Sequence, residues 1–403
     1  MKKVKLAIVC THPIQYYAPV FRELMTSDGV LPRVFYTWSQ TAGGETFDPD
    51  FGERFAWDIP LLDGYDYEFV ENMAKDPKGS DFFGVKTPGL ARAVREWGAD
   101  AVLVFGWGVY AHLRALVDFK GALPVLFRGD STLLDPIGPL RKVARRLFLR
   151  WVYSHVDVAI AVGQNSRDYF RWCGLPSERI VVAPHSIDTL RFGDPAGEQG
   201  ARATRRRSEL GIPAESIVFE FAGKFTDKKD PMLLLNAFMQ LESSAHLVFV
   251  GSGELEGKLR DAARDTPTIH FLPFQNQSEM PSAYRLADLF VLPSRGPGET
   301  WGLAMNEAMA SGRAVIAASR AGGARDLIRT GETGWIFESE NLAGLVNLLK
   351  VALALGRDSL LGMGTSAQKY IAQWSTYEAA RGIELAALKA ILGSSYDAES
   401  VTA

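Results

Sequence analysis

Two glutamates, Glu299 and Glu307, flank the predicted start of a helix in the C-terminal half of the chain. An apolar run typical of a buried strand ends at Ser294, a loop rich in glycine and proline carries Glu299, and helical spacing begins at about Leu303. The unpaired N–H groups of a helix start suit a phosphate. Sugar hydroxyls need acceptors and a diphosphate needs donors, so this order of groups suits a sugar nucleotide. An isolated pair at this spacing is more often part of a solvated surface loop.

Two lysines strengthen the case for a diphosphate. They lie in the loop after the first predicted strand of this half, which reads Gly223-Lys224-Phe-Thr-Asp-Lys-Lys229. Gly223 permits close approach of the backbone, and the two lysines can supply ammonium groups to a diphosphate. A lysine pair in a loop is otherwise usually solvated.

Two further loops follow the next predicted strands. The turn Val-Gly251-Ser252-Gly-Glu opens a helix and favours an anion or a close approach. Phe274 ends the stretch Phe-Leu-Pro-Phe, and its ring could pack beside a nucleobase or, as most single phenylalanines do, in the core. Neither loop is specific alone, but together with Glu299 they indicate one binding site.

The elements that must position these loops alternate regularly. Strand-like apolar runs alternate with helix-like segments along the 403 residues, which predicts an α/β fold with parallel sheets covered on both faces. We expect two doubly wound, Rossmann-like domains facing a cleft at the carboxyl ends of both sheets. The predicted parts are an N-terminal domain at 1–192, a linker at 193–212, a second domain at 213–364 that carries the loops suited to a sugar nucleotide, and a C-terminal helix at 365–403 that returns to the N-terminal domain. We predict mostly loop at 40–80.

The loops of the C-terminal half resemble, in their order, those of the family 4 retaining glycosyltransferases, which have the GT-B fold. The series reads Gly-Lys-x4-Lys-Asp-Pro, Val-Gly-Ser-Gly-Glu, Phe-Leu-Pro-Phe, Tyr-Arg-Leu-Ala-Asp-Leu-Phe-Val-Leu-Pro-Ser and Glu-x7-Glu. It covers about 217–337 and is specific as a series, although no single motif is. The stretches 161–180 and 184–192 also resemble this family, so the likeness extends over most of the chain.

The resemblance implies a role for each charged residue. Lys224, where family members often have arginine, and Lys229 would hold the donor diphosphate. Glu299 would face the donor sugar, and Glu307 would bind the ribose hydroxyls. Backbone amides at the helix start would hold the distal phosphate. The other residues expected in the donor site are Gly223, Gly251, Ser252, Phe274, Ser294, Gly302 and Leu303.

The resemblance also implies a mechanism. The family transfers with retention of anomeric configuration and needs no catalytic metal or other cofactor, the nucleotide sugar being a substrate. Retention is attributed to front-face displacement, in which the leaving diphosphate accepts the proton of the acceptor hydroxyl. Lys224, Lys229 and the helix start would then act by electrostatics, and Glu299 would bind sugar hydroxyls rather than act as a nucleophile. The one D-x-D spacing, Asp48-Pro-Asp50, is interpreted as a turn.

The first half departs from the family pattern. The loop after the first strand, residues 11–17, replaces the Gly-Gly of many members, and its contact could be with the donor or the acceptor. A histidine of many members is replaced by Arg128 or Asp130. His12 and Arg128 could instead have structural roles, and Trp107 could fill space between domains. The residues expected on the acceptor side are His12, Gln15, Trp107, Arg128 and Asp130.

Composition limits the class of protein. A net charge of −3 gives no electrostatic case for nucleic acid as a partner. Cys10 and Cys173 are far apart in sequence and fit a reducing compartment better than a disulfide framework or a zinc site. The first apolar run is too short for a signal peptide, and no apolar run reaches 18 residues. We therefore expect a cytoplasmic protein, and the oligomeric state is left open.

One predicted helix is basic and amphipathic. Its apolar face comprises Leu140, Val143, Ala144, Leu147 and Trp151, while four cations within 141–146 lie mostly elsewhere. Such a helix can lie on anionic lipid, which predicts peripheral contact with the inner membrane face through 140–152. The alternative is a domain helix that packs its apolar face inward.

The sequence thus predicts a transferase that moves a sugar from a nucleotide-sugar donor to a glycan or lipid-linked acceptor in polysaccharide or glycoconjugate biosynthesis. A non-catalytic sugar-nucleotide-binding subunit and a GT-B-fold epimerase or phosphorylase are the alternatives. The base, uridine or guanosine, is left open, as are the donor sugar, the acceptor and the linkage.

Overall fold

The computed structural model describes residues 2–39, 46–48, 53–79 and 81–393. Their contacts divide the chain into two compact units. Unit 1 comprises Met1–Gly44, Pro60–Ser186 and Thr376–Ala403. Unit 2 comprises Glu45–Ile59 and Ile187–Ser375.

The elements of the described residues alternate along most of the chain, as the sequence predicts. The strands are β1 (Val4–Cys10), β2 (Val30–Tyr36), β3 (Thr46–Asp48), β4 (Glu53–Phe55), β5 (Tyr67–Phe69), β6 (Ala101–Phe105), β7 (Val125–Gly129), β8 (Val158–Ala161), β9 (Ile180–Val182), β10 (Val218–Ala222), β11 (His246–Val250), β12 (Ile269–Leu272), β13 (Leu289–Leu292), β14 (Ala314–Ala318) and β15 (Gly334–Phe337). The helices are α1 (Ala18–Met25), α2 (Leu90–Trp97), α3 (Tyr110–Phe119), α4 (Pro139–Ser154), α5 (Gln164–Trp172), α6 (Thr189–Gly193), α7 (Glu198–Glu209), α8 (Pro231–Phe238), α9 (Glu256–Ala262), α10 (Met280–Tyr284), α11 (Leu303–Ala310), α12 (Ala324–Leu327), α13 (Leu342–Leu355), α14 (Arg357–Ile371) and α15 (Thr376–Leu392).

The sheet of unit 1 is parallel and covered on both faces. Among the described residues its strand order is β5-β2-β1-β6-β7-β8-β9. In β1, Leu6 and Ile8 pack in one apolar core, while Ala7 and Val9 pack in another. Because alternate strand residues point to opposite faces, both sides of the sheet are buried. The helix α15 contributes Ile383 to the first of these cores and so belongs to unit 1.

The sheet of unit 2 is also parallel, with the order β12-β11-β10-β13-β14-β15 in the described chain. Its central strand β10 places Phe219 and Phe221 in the apolar core, and Glu220 between them is fully buried. Since β10 and β13 are neighbours, the loops that follow them begin side by side at the carboxyl edge. Those loops hold most of the predicted donor-site residues.

The boundaries of the units differ from the predicted domains. Residues 187–192 and 365–375 belong to unit 2, and so does the early segment 45–59. Most of the predicted linker is the helix α7, in which Arg207 is buried and lies 3.4 Å from Asp288. Its polar composition suggested a linker, but a buried ion pair fixes the segment to unit 2.

The predicted C-terminal helix is two helices rather than one. The helix α14 ends at Ile371, a 3-10 turn covers Ala372–Trp374, and α15 begins at Thr376. At the break the Trp374 ring packs against the Trp301 ring of unit 2, with 5.4 Å between centroids. No proline or glycine marks this break, so the apolar pattern of the sequence predicted one continuous helix. The predicted residues 394–403 lie outside the described chain, as do parts of the predicted loop at 40–80, among them Pro49 and Asp50.

Candidate active site

Two of the predicted donor-site charges, Lys229 and Glu299, meet beyond the carboxyl ends of β10 and β13. The Lys229 Nζ lies 2.7 Å from the Glu299 Oε2, and the Ser294 hydroxyl donates to the same oxygen over 3.2 Å. Glu299 is only 6% exposed. The structure therefore brings Lys229, Ser294 and Glu299 together in one cluster.

The surroundings of Glu299 keep its carboxylate ionised. Burial alone would raise its pKa, but Lys229, Lys228 and the hydrogen bond from Ser294 together outweigh burial and lower the pKa. An ionised carboxylate only accepts hydrogen bonds, so Glu299 can receive them from hydroxyl groups. Lys228 is a third cation of this loop, to which the sequence analysis gave no role.

The start of α11 lies next to this cluster. Gly302 precedes α11 with a φ of 91°, in the left-handed region that favours glycine. A Cβ at Gly302 would lie 2.7 Å from the Leu292 Cδ2, so packing against the end of β13 also requires a glycine. No described side chain caps the first turn of α11, which Leu303 opens. Amide groups without a side-chain acceptor suit a phosphate.

Glu307 is held by another element. It lies in α11, is 4% exposed, and accepts a 2.7 Å hydrogen bond from the Tyr284 hydroxyl of α10. The Tyr284 ring packs against Phe290 with 5.5 Å between centroids. Tyr284 thus orients Glu307, while Lys229 and Ser294 orient Glu299.

The glycines after β11 pack two loops of unit 2 together. A Cβ at Gly251 would lie 2.1 Å from the Gly223 carbonyl oxygen. The Phe225 amide donates to the carbonyl oxygen of the buried Ser252 over 2.8 Å. The close approach predicted for these glycines is therefore one of backbone to backbone, and it fixes the half-buried Lys224 at the end of β10.

The ring of Phe274 has aromatic partners that sequence reasoning missed. It lies 4.6 Å from the Phe55 ring and 6.5 Å from the Trp57 ring, centroid to centroid. The Asn276 side chain donates to the Ala56 carbonyl oxygen over 2.6 Å, which holds the segment against the loop after β12. The aromatic content of 40–80 was a signal, but nothing in it indicated the partner.

A second missed contact supports the loop that carries Glu299. The Gly322 amide donates to the Glu299 carbonyl oxygen over 3.0 Å, and the Gly323 amide donates to that of Trp301 over 2.8 Å. A Cβ at Gly322 would lie 1.8 Å from the Thr300 carbonyl oxygen. The Gly-Gly pair after β14 was the available signal, because such pairs mark close backbone approach.

In unit 1, two of the predicted acceptor-side residues share a cavity of about 200 Å³ at the carboxyl ends of β1, β6 and β7. The buried Arg128 donates to the carbonyl oxygens of Ala183 and Pro184 over 2.7 and 3.0 Å. The Asp130 Oδ2 lies 3.7 Å from the Nε2 of the buried His185. Burial lowers the pKa of His185, against the opposing effect of Asp130. Sequence reasoning missed His185.

The other acceptor-side predictions lie outside the lining of that cavity. The His12 Nδ1 shares a 2.9 Å hydrogen bond with the Thr11 hydroxyl, and burial lowers the His12 pKa. Gln15 is half-buried in the same loop. The Trp107 ring packs edge-on against the Phe148 ring of α4, with 5.5 Å between centroids. The loop 11–17 nevertheless reaches the cavity through neighbouring residues of this stretch.

Within 2–39, 53–79 and 81–393, no group of three or more His, Cys, Asp or Glu side chains is placed to hold a metal ion. None of the helices described has both the length and the apolar character needed to cross a membrane.

Comparison with known families decides the class of this protein. A family model described as Glycosyl transferases group 1 matches residues 203–369, and one described as Glycosyl transferase 4-like domain matches 73–185. Together they cover more than half of the chain. The chain belongs to glycosyltransferase family 4. The family inferred from the order of the loops is confirmed.

Relatives of this family 4 glycosyltransferase are similar over part of their length. The D-inositol 3-phosphate glycosyltransferase of Corynebacterium kroppenstedtii is 28% identical over 253 residues, which are 59% of this chain and 54% of the relative. The GDP-mannose-dependent alpha-(1-6)-phosphatidylinositol monomannoside mannosyltransferase of Mycobacterium tuberculosis is 29% identical over 243 residues, 57% of this chain and 61% of the relative. The chain spans about half the length of the curated relatives it matches.

The fold of this family 4 glycosyltransferase is found in solved structures. Anabaena HepE in complex with UDP has a TM-score of 0.69 over 95% of this chain and 98% of that chain, with 18% identity. At this identity the likeness concerns the fold alone. It confirms the predicted GT-B class with two Rossmann-like domains.

Proposed function

We propose that this family 4 glycosyltransferase moves a sugar from a nucleotide-sugar donor to a glycan or lipid-linked acceptor, with retention of anomeric configuration. The observation that carries the proposal is the Lys229–Glu299 pair beside the uncapped start of α11. This cluster of unit 2 offers an ammonium to a phosphate and an ionised carboxylate to hydroxyl groups. Family membership supports the reaction class. A relative named as GDP-mannose-dependent and a similar structure solved with UDP support a nucleotide-linked donor.

In the proposed step, the bond between the anomeric carbon and the phosphate oxygen breaks. The acceptor oxygen bonds to that carbon on the same face, and the acceptor proton passes to the departing diphosphate. Negative charge grows on the diphosphate, where Lys224, Lys229 and the amides of α11 stabilise it. No metal or other cofactor takes part in this proposal, because the lysines of the β10 loop supply the positive charge.

The two glutamates have separate tasks in the proposal. Glu299 binds hydroxyls of the donor sugar, and the lowered pKa keeps it an acceptor at neutral pH. Glu307 binds the ribose, oriented by Tyr284. Phe274 lies beside the base, and the aromatic partners Phe55 and Trp57 extend that surface.

The acceptor side is proposed to lie at the carboxyl ends of the unit 1 strands. It includes the cavity with Arg128 and Asp130, and the nearby His12, Gln15 and Trp107. A relative whose name contains phosphatidylinositol supports a lipid-linked acceptor. Such an acceptor would place the protein in the cytoplasm, peripherally at the inner membrane face.

The test is a panel of UDP- and GDP-sugars assayed with the full chain for binding and for slow hydrolysis, with and without EDTA. We expect one donor to be bound and turned over at the same rate in EDTA. That donor is then offered with a panel of glycans and phosphatidylinositol-type lipids, and the anomer of the product is determined by NMR.

The controls separate the alternatives. Lys229→Ala should abolish turnover of that donor, while Lys258→Ala, which removes an exposed lysine of α9, should not. Binding of a donor without turnover in the presence of any acceptor would instead support a non-catalytic subunit. Absence of both binding and turnover would refute the proposal, and loss of activity in EDTA would refute its metal independence.

A further inference from the structure

The helix α4 has an apolar face that unit 1 leaves uncovered. This docking face comprises Leu140, Val143, Leu147, Phe148 and Trp151, which are 87%, 61%, 64%, 44% and 48% exposed. Their spacing of three and four residues places them on one side of the helix. The alternative interpretation, in which this face packs inward, is therefore wrong.

A different face of α4 serves the fold. Leu149, Val152 and Tyr153 are buried in the apolar core of unit 1. At 100° per residue they lie on the side opposite to the docking face. The exposed side chains are thus additional to those that hold the helix on its unit.

The charges around the docking face are all positive within the helix. No aspartate or glutamate occurs in α4. Helical spacing places two cations beside each edge of the face. Arg145 and Arg146 also lie over rings of α5, at 5.8 Å from the centroids of Tyr169 and Trp172. The cations of α4 are Arg141, Lys142, Arg145, Arg146 and Arg150.

We propose that the docking face of α4 binds a membrane surface that contains anionic phospholipid. An apolar stripe enters the boundary between headgroups and acyl chains, while flanking cations stay with the headgroup phosphates. Contact of this face with the same face of a second copy would bring two rows of cations together. An anionic surface matches the charge as well as the apolar side chains.

The docking face is continuous with the strand ends of unit 1. Trp107 follows β6 and packs against Phe148, so one ring links the carboxyl edge of the sheet to the docking face. This link rests on the proposed function, because it matters for a lipid-linked acceptor that must reach the cavity of Arg128 and Asp130. Docking itself requires only the surface of α4.

The test is co-sedimentation of the full chain with vesicles of phosphatidylcholine alone and of phosphatidylcholine mixed equally with phosphatidylglycerol. We expect binding to the anionic vesicles, weakened by salt, and little binding to the neutral ones. Leu140→Ser with Leu147→Ser should abolish binding. Arg141→Gln with Arg150→Gln, which removes one cation at each edge of the face, should weaken it by about fivefold for each cation removed.

Matched controls use exposed residues of unit 2. Met239→Ser removes an exposed apolar side chain, and Lys258→Gln with Lys350→Gln removes the same charge as the α4 pair. Both variants should bind vesicles like the wild type. Equal loss in the control lysine pair would overturn the proposal, as would wild-type chains that ignore anionic vesicles.

A different occupant would also be detected. Sedimentation analysis that shows dimers lost with Leu140→Ser and Leu147→Ser would assign the face to a second copy and overturn membrane docking. The same double variant should keep its circular dichroism and its donor hydrolysis in solution. If the wild type turns over its donor but does not bind vesicles, only the docking proposal fails. If it binds vesicles but turns over no donor, only the proposed function fails.

Discussion

The carboxyl ends of the two sheets hold charge in different ways. In unit 2 the cation and the carboxylate lie in loops after neighbouring strands and pair directly, Lys229 with Glu299. In unit 1 the cation Arg128 belongs to β7 itself, is buried, and donates to backbone carbonyls. An ion pair between loops can exchange partners when a diphosphate binds, whereas Arg128 is fixed by the fold. Unit 2 is thus suited to stabilising charge that develops on a diphosphate, and unit 1 is suited to recognising a substrate through groups in fixed positions.

The strongest test of this contrast removes a cation from unit 2. Lys224→Ala should lower kcat by about 100-fold, because the departing diphosphate loses one stabilising charge, while nucleotide affinity changes less. Steady-state kinetics with the donor found in the panel measure both, with Lys258→Ala as the control for charge. Small and equal effects on kcat and affinity would mean that Lys224 has been misassigned.

Glu307 separates binding from turnover within unit 2. Glu307→Ala should weaken nucleotide binding by about tenfold or more, since hydrogen bonds to a charged group contribute about 1.5–3 kcal/mol. Calorimetric titration measures this, and thermal unfolding should show a lower midpoint because Tyr284 loses its acceptor. Glu307→Gln keeps an acceptor for Tyr284 and should restore stability but not affinity. Wild-type affinity in both variants would exclude the ribose role.

In unit 1 the matching change is Asp130→Asn, which keeps the shape of the side chain. It should raise KM for the acceptor by about tenfold through the loss of a charge-assisted hydrogen bond, and leave donor hydrolysis unchanged. Kinetics at saturating donor measure the acceptor KM. A change in the donor KM instead would place this cavity on the donor side and would contradict the assignment of the acceptor to unit 1.

A second buried carboxyl of unit 2, Glu220, provides the comparison for Glu299. Burial raises the pKa of Glu220 well above the usual value, and neither of its carboxylate oxygens has a hydrogen-bond partner in the described chain. The folded state therefore keeps Glu220 neutral to a higher pH than the unfolded state does. The resulting contribution to stability is fully present below the unfolded pKa of about 4.5 and is lost as pH rises from there to the folded pKa. The loss should be about 1.4 kcal/mol per pH unit across that window.

Glu220→Gln removes this titration. In urea unfolding from pH 5 to 8, the free energy of unfolding of the variant should increase relative to that of the wild type as pH rises. The two values should be most similar at low pH. Parallel curves for the two proteins would show that Glu220 does not titrate between the folded and unfolded states.

Strands bounded by turn residues could be located from the sequence. The strands β6, β11 and β13 are short apolar runs flanked by polar or glycine-containing segments, which leave little choice for their bounds. The break between α14 and α15 could not be located, since it depends on Trp374 packing against Trp301 and carries no breaker residue.

The candidate site was predictable because the carboxyl ends of parallel strands meet at one edge of a sheet. Lys229 and Glu299 both follow such strands, and the order of their loops resembles that of family 4. Phe55 and His185 could not be found this way. Phe55 reaches Phe274 from a segment without periodicity, and His185 meets Asp130 although the strands that precede them, β9 and β7, are not neighbours in the sheet.

The helix α15 constrains how newly made chains mature. Its residue Ile383 completes a core that begins at Leu6, so translation delivers all of unit 2 before the first sheet can be closed. During that interval part of one face of the sheet, which α1 covers only in part, stays exposed, although domains commonly fold from the N-terminus as they emerge from the ribosome. Chaperones that shield apolar surface would be needed most while residues 187–375 are being synthesised.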